Sequence, residues 1–152
     1  MSQHENSVLN TLAFFQKAVP DPQDKNFYTQ LGVHCEEFAE MLDALMAYSD
    51  EATEILQEAR SAVKELADKL KQGTSILLYP ADRIEFLDAI CDQMVTAIGT
   101  AYMAKMDVAG GFNEVNASNL SKFDENGNPI FNENMKIMKG PNYFKPDLKR
   151  FV

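Results

Sequence analysis

Between Ile84 and Met103 the chain reads IEFLDAICDQMVTAIGTAYM, and only Glu85, Asp88 and Asp92 are charged. At about 100° per residue, spacings of three and four put these acids on one stripe of a helix. The stripe continues through Val95, Thr96, Gly99 and Met103, while the other side carries Leu87, Ile90, Met94, Ile98 and Ala101. A helix that is apolar all round belongs at the centre of a bundle. The segment, expected as a helix over about residues 81–104, therefore points to an all-α packing and predicts three carboxylates in its interior. Unpaired buried carboxylates are expensive, and several together do not all stay ionised unless something neutralises them.

A second acidic group lies in VHCEEFAEML. Glu36, Glu37 and Glu40 fall within about a quarter-turn of a helical wheel, and the same sector runs on to Val33, Ala44 and Ala47. A solvated stripe does not end in small apolar residues, so these acids also read as facing inward. Two kinds of neutralisation are open. Lysines and arginines could reach in, although the helical body holds only eight, concentrated on the third helix. Otherwise divalent cations bind, and an oxygen-only donor set favours the hard ions Mg²⁺ or Mn²⁺. A di-iron bundle needs Glu-x-x-His pairs, which His4 and His34 do not supply. Bland readings stand beside these: Glu36, Glu37 and Glu40 as surface residues, and Glu85 as the capping-box partner of Asp82 in DRIE.

Elsewhere the pattern is helical. Ser7 to Lys17 reads as a first amphipathic helix, broken by VPDPQDKN, and a second is expected from about Phe27 to Tyr48. SDEATEILQEARSAVKELADKLKQG is rich in strong helix formers and stops naturally at Gly73. TSILLYP is a connector. GGFNEVNASNLSKF suggests a short fifth helix after a glycine turn, and DENGNPI is a turn whose Gly127 comes too early for an EF-hand. The expected architecture is a four-helix bundle with a short fifth helix and an irregular C-terminal tail. It forms a single domain over 1–152, with a helical body over about 7–122 and a basic tail over about 123–152.

Charge narrows the function classes. A net charge of −9 argues against non-specific nucleic-acid binding. From Lys122 onward six basic residues (Lys122, Lys136, Lys139, Lys145, Lys149, Arg150) outnumber four acids (Asp124, Glu125, Glu133, Asp147), leaving −11 for the rest. No segment is apolar and uncharged for the ~20 residues a membrane helix needs, and MSQHENS carries no secretory pattern. Cys35 and Cys91 read as buried free thiols in a reducing compartment, so a cytoplasmic location is expected.

Glu36-Glu37-Phe38-Ala39-Glu40 and Glu85-Phe86-Leu87-Asp88 resemble the E-E-x-x-E and E-x-x-D motifs of the all-α nucleoside triphosphate pyrophosphohydrolase superfamily. That superfamily includes MazG-like proteins, dimeric dUTPases and phosphoribosyl-ATP pyrophosphohydrolase. DAICDQMVTAIGTAYMAKMD, FNEVNASNLSKF and KGPNYFKPDL are most similar to its phosphoribosyl-ATP pyrophosphohydrolase-like branch, found in phages and bacteria. Aligning on CDQMV places the family's final aspartate at Asp92, and aligning on E-x-x-D places it at Asp88.

The resemblance implies hydrolysis of a nucleoside triphosphate, a deoxynucleotide above all, to monophosphate and pyrophosphate. It implies Mg²⁺, with Mn²⁺ as a substitute, held by Glu37, Glu40, Glu85, Asp88 and Asp92, and a general base at Glu36 or Glu37. It also implies a homodimer or homotetramer. The basic tail then reads as substrate-facing: Lys122, Lys136 and Lys139 toward phosphates, Asn116 and Asn119 toward base or sugar, and Tyr143 as a stacking ring. With few apolar anchors before Tyr143, the tail is expected to be mobile without ligand. The competing readings are a non-catalytic acidic module that binds nucleotides or a partner protein, and a structural bundle whose acids pair across an oligomer interface.

Overall fold

The computed structural model of the protein describes residues 7–73, 78 and 80–152. Its helices are α1 (Ser7–Ala18), α2 (Asp24–Asp43), α3 (Asp50–Gln72), α4 (Arg83–Met103) and α5 (Val108–Leu120), with a 3-10 turn at Lys149–Phe151. No strand occurs among the described residues, so the fold is all-α with a short fifth helix, as the sequence predicts. Most of the TSILLYP connector (74–77 and 79) and His4 lie outside the described residues. The chain divides into two compact units. One carries α1, α4, α5 and the residues from Ile137 onward; the other carries α2, α3 and the segment Phe131–Lys136.

The second unit is a helical hairpin. Its α2 begins after Pro22, where the Gln23 N–H donates to Asn26 Oδ1 (3.0 Å), and ends at Asp43, several residues short of the expected Tyr48. The shortening has a local cause: Ser49 is extended and its Oγ accepts from the Ala52 N–H (3.1 Å), so it caps α3 and leaves 44–48 as connection. Gly73 ends α3 in the left-handed region (φ 66°), which glycine adopts without penalty. The two helices approach closely where side chains are smallest. A Cβ on Gly32 would lie 2.8 Å from the Ala67 carbonyl oxygen. Tyr28, Thr29, Ala39, Ala67 and Leu70 are buried, and Asp43 pairs with Arg60.

In the first unit Phe14 and Ala18 of α1 pack with Phe123 in a small core, the Phe14 and Phe123 rings stacking with centroids 5.3 Å apart. Polar contacts fasten α1 to α5. Thr11 Oγ1 donates to Asn116 Oδ1 (2.8 Å), Asn116 Nδ2 donates to the Ser7 carbonyl (3.1 Å), and Ser7 Oγ donates to Asn113 Oδ1 (2.5 Å). The DENGNPI turn closes on Asp124, whose Oδ1 accepts the N–H groups of Asn126 and Asn128 (2.9 and 2.7 Å).

Three expectations are corrected here. The C-terminal residues are not a loose tail. Ser118 Oγ donates to the Phe144 carbonyl (2.7 Å), the Phe144 N–H donates to Ser121 Oγ (3.1 Å), and the Asp107 N–H donates to the Phe151 carbonyl (2.8 Å). Arg150 also pairs with Glu114, and a Cβ on Gly140 would lie 2.6 Å from the Lys122 carbonyl oxygen. These anchors are mostly polar, so apolar content did not reveal them. Second, α4 has no buried residue: Ile84 is 80% and Met103 78% exposed, and Glu85, Asp88 and Asp92 are exposed too. The pattern said correctly that the helix is apolar all round, but periodicity does not say what covers each face. Third, Cys91 on α4 is exposed for the same reason, while Cys35 on α2 is partly buried; neither forms a disulfide. No helix among the described residues is long and apolar enough to cross a membrane.

Candidate functional site

The acids of α2 separate by orientation. Glu36 faces α3 with its side chain only 20% exposed, while Glu37 and Glu40 are exposed. Both oxygens of Glu36 are engaged. Lys71, on the last turn of α3, donates to Oε1 (2.7 Å), and Lys136 donates to Oε2 (3.0 Å). Lys71 also pairs with Asp68 Oδ1 (3.1 Å). Burial alone would raise the Glu36 carboxyl, but the hydrogen bonds from Lys71 and Lys136 outweigh it and hold it below its ordinary value. For Lys71, burial works against the ammonium, and the bonds to Glu36 and Asp68 prevail and raise its pKa.

Lys136 arrives on a built turn. Asn132 Oδ1 accepts the N–H groups of Asn134 and Lys136 (3.0 and 2.9 Å), folding Phe131–Lys136 into a tight strap. Thr29 Oγ1 of α2 donates to the Asn134 carbonyl (2.7 Å), and Lys25 Nζ donates to the Glu133 carbonyl (2.7 Å). The strap and the hairpin enclose a polar cleft of about 250 Å³ with Lys71 and Lys136 in its wall.

Neutralisation of Glu36 thus follows the cationic route, by lysines reaching in. Lys71 is a site residue that sequence reasoning missed. Its signal was its place directly after Leu70, the most deeply buried side chain, which puts it at the inward edge of α3.

The ion pairs give a signed pH dependence. Because the Glu36 pKa is depressed on folding, its contribution to stability is complete above the unfolded value and is lost as pH falls through the folded one. Urea midpoints of the wild type should therefore fall more steeply between about pH 5 and pH 3 than those of Glu36→Gln. Equal slopes would show that the ion pairs of Glu36 with Lys71 and Lys136 add nothing to folding.

The remaining sequence-selected residues belong to the other unit. Glu85, Asp88 and Asp92 form an exposed stripe on α4, where Asp82 caps the helix by accepting from the Ile84 and Glu85 N–H groups (2.8 and 3.2 Å). Asn116 is buried, and its amide accepts from Thr11 and donates to the Ser7 carbonyl. Asn119 and Lys122 are partly buried. Lys139 and Tyr143 do come together, with the Lys139 ammonium 4.7 Å from the ring centroid. In kind, the exposed carboxylates of α2 and α4 suit a hard divalent ion. Glu36 does not, since two ammonium groups occupy it, and among the described residues no three His, Cys, Asp or Glu side chains gather into a metal cage.

No family model matches the chain, and no curated protein does. Its fold is that of a solved structure from Exiguobacterium sp. 255-15, a protein provisionally assigned as an NTP pyrophosphohydrolase. The TM-score is 0.62 at 21% identity, covering 93% of this chain and 89% of that one. At that identity the likeness establishes the fold, an all-α one, which is the fold that the motif resemblance implies.

Proposed function

We propose that the protein hydrolyses a nucleoside triphosphate, a deoxynucleotide in the finer reading, to the monophosphate and pyrophosphate, using Mg²⁺ or Mn²⁺. The observation that carries this is the sorting of acids on α2: Glu36 is fixed by two lysines at a polar cleft, and Glu37 and Glu40 stand exposed beside it. The shared fold supports the same reading. Glu37 and Glu40 on α2, and Glu85, Asp88 and Asp92 on α4, are the proposed metal-holding carboxylates. Bound metal would supply charge stabilisation at the phosphate oxygens.

The chain's own groups do the rest. Glu36 accepts from two ammonium groups, and Glu37, an exposed residue, is the assigned acceptor of the attacking water's proton. Lys136, Lys122 and Lys139 offer charge-assisted donors to phosphate, Asn119 is assigned to base or sugar, and Tyr143 to stacking. Incubation with a panel of NTPs and dNTPs plus Mg²⁺ or Mn²⁺ should release pyrophosphate in one piece; orthophosphate as first product overturns the assignment.

A second reading is a module that binds nucleotide without turning it over, which the engagement of both Glu36 oxygens by lysines suits. Nucleotide binding with no hydrolysis across the panel would establish it.

The exposed apolar surface of α4 supports the homodimer or homotetramer. Light scattering should give a multiple of the 17.1 kDa chain mass, and Leu87→Glu combined with Ile98→Glu should shift it to monomer, because a charge in an apolar interface is unpaired. An unchanged wild-type mass at 17.1 kDa would refute the proposal.

A further inference from the structure

We infer that the cleft between the α2–α3 hairpin and the Phe131–Lys136 strap is a binding site for a polyphosphate anion, in which Lys71 and Lys136 exchange Glu36 for phosphate oxygens. The cleft lies wholly within one compact unit. Its wall combines two ammonium groups with one carboxylate, Asp68, which is paired with Lys71, and with neutral groups: the Thr29 hydroxyl, which donates to the Asn134 carbonyl, and the amides of Gln72, Asn132 and Asn134. Asn132 spends its oxygen inside the strap, accepting two backbone N–H groups, which turns its amide nitrogen into the available donor. Thr29 and Lys25 pin the strap by its backbone, so Lys136 is held at the rim independently of its ion pair.

The present partners of the lysines are single carboxylates. Lys71 spends two of its three donors on Glu36 and Asp68. A di- or triphosphate brings several charges and more oxygens in one molecule, and Coulomb attraction grows with the charge. It therefore competes with Glu36 on better terms than another carboxylate would. A cleft of about 250 Å³ has room for a phosphate chain in place of several waters. The exchange would also free Glu36, one residue before the proposed base. The inference rests on the pyrophosphohydrolase reading only for the source of the phosphate, and it is testable without turnover.

The test is calorimetric titration of the full chain, freed of divalent metal by chelator, with inorganic pyrophosphate, a non-hydrolysable nucleoside triphosphate analogue and a nucleoside. Pyrophosphate and the analogue should bind and the nucleoside should not. Lys136→Gln and Lys71→Gln should each weaken pyrophosphate binding by about tenfold or more. Glu36→Gln should strengthen it, because the competing carboxylate is gone. A purely structural ion pair does not predict that gain.

Lys64→Gln, on the exposed side of α3, should change nothing. Far-UV circular dichroism confirms folding, and the half-exposed Lys136 keeps the test valid if Lys71→Gln unfolds. Absence of pyrophosphate binding to both wild type and Glu36→Gln overturns the inference. So does binding of the nucleoside but not pyrophosphate, or equal weakening by Lys64→Gln. Pyrophosphate binding with the expected variant pattern in a protein that hydrolyses no triphosphate would sustain the cleft and defeat the proposed activity.

Discussion

Glu40→Gln is expected to lower triphosphate hydrolysis by about 10²–10³-fold, and Asp92→Asn by a similar factor. Each replacement keeps the shape of the side chain and removes its charge. Both acids are exposed, so neither change opens a cavity or strands a buried partner. What is lost is a hard anionic donor. A metal's stabilisation of transition-state charge amounts to several kcal/mol, and each ~1.4 kcal/mol is a factor of ten in rate.

The same variants should melt no lower than the wild type without metal. Glu40 sits three and four residues from Glu37 and Glu36, and Asp92 four from Asp88, spacings at which like charges repel. Millimolar Mg²⁺ with nucleotide should raise the wild-type melting temperature by mass action and raise the variants' less. Pyrophosphate release and thermal melts check both halves. Variants that turn over at the wild-type rate would remove these carboxylates from the site.

What the sequence made legible follows from the range over which each signal acts. The cap at Ser49, the strong formers from Asp50 and the glycine at position 73 are local, and α3 is where they place it. The all-apolar wheel of α4 was read correctly as a pattern, but periodicity does not say what covers a face. The inference from apolar to buried therefore failed there, and Cys91 went with it.

Glu36 was legible as a carboxylate turned inward, whereas Glu37 and Glu40, read the same way, are exposed. The partners of Glu36 were not legible, because Lys136 lies 100 residues away and reaches it only through a strap built by the Asn132 side chain. Asn116, an amide that a family-like motif assigns to a ligand, has partners the motif did not disclose, Thr11 and Ser7 on a neighbouring helix. A polar residue's partner is a tertiary fact, and spacing along one helix does not carry it.

Leu70→Ala should cause the larger of two contrasting losses of stability in the hairpin. Leu70 is fully buried, and truncation of such a leucine costs about 2–5 kcal/mol in lost transfer energy and residual cavity. For a chain of this size, at about 2–4 °C per kcal/mol, the melting temperature should fall by roughly 4–20 °C. The loss falls beside Lys71, so it should also loosen the ion pairs that hold Glu36 and the strap.

Gly32→Ala tests the same interface from the other side. The added methyl would sit 2.8 Å from the Ala67 carbonyl oxygen and 3.0 Å from the Lys71 amide nitrogen, and a helix backbone does not give way as a side chain does. Overpacking of this kind costs about 1–3 kcal/mol, while replacing glycine by alanine within a helix returns about 1 kcal/mol. The net change should therefore be a loss of no more than about 2 kcal/mol. Urea unfolding followed by far-UV circular dichroism measures both. If Gly32→Ala stabilises the protein, the close contact of α2 and α3 at Gly32 is not the feature that sets the hairpin; if Leu70→Ala costs less than Gly32→Ala, that contact outweighs the leucine and the expected ranking fails.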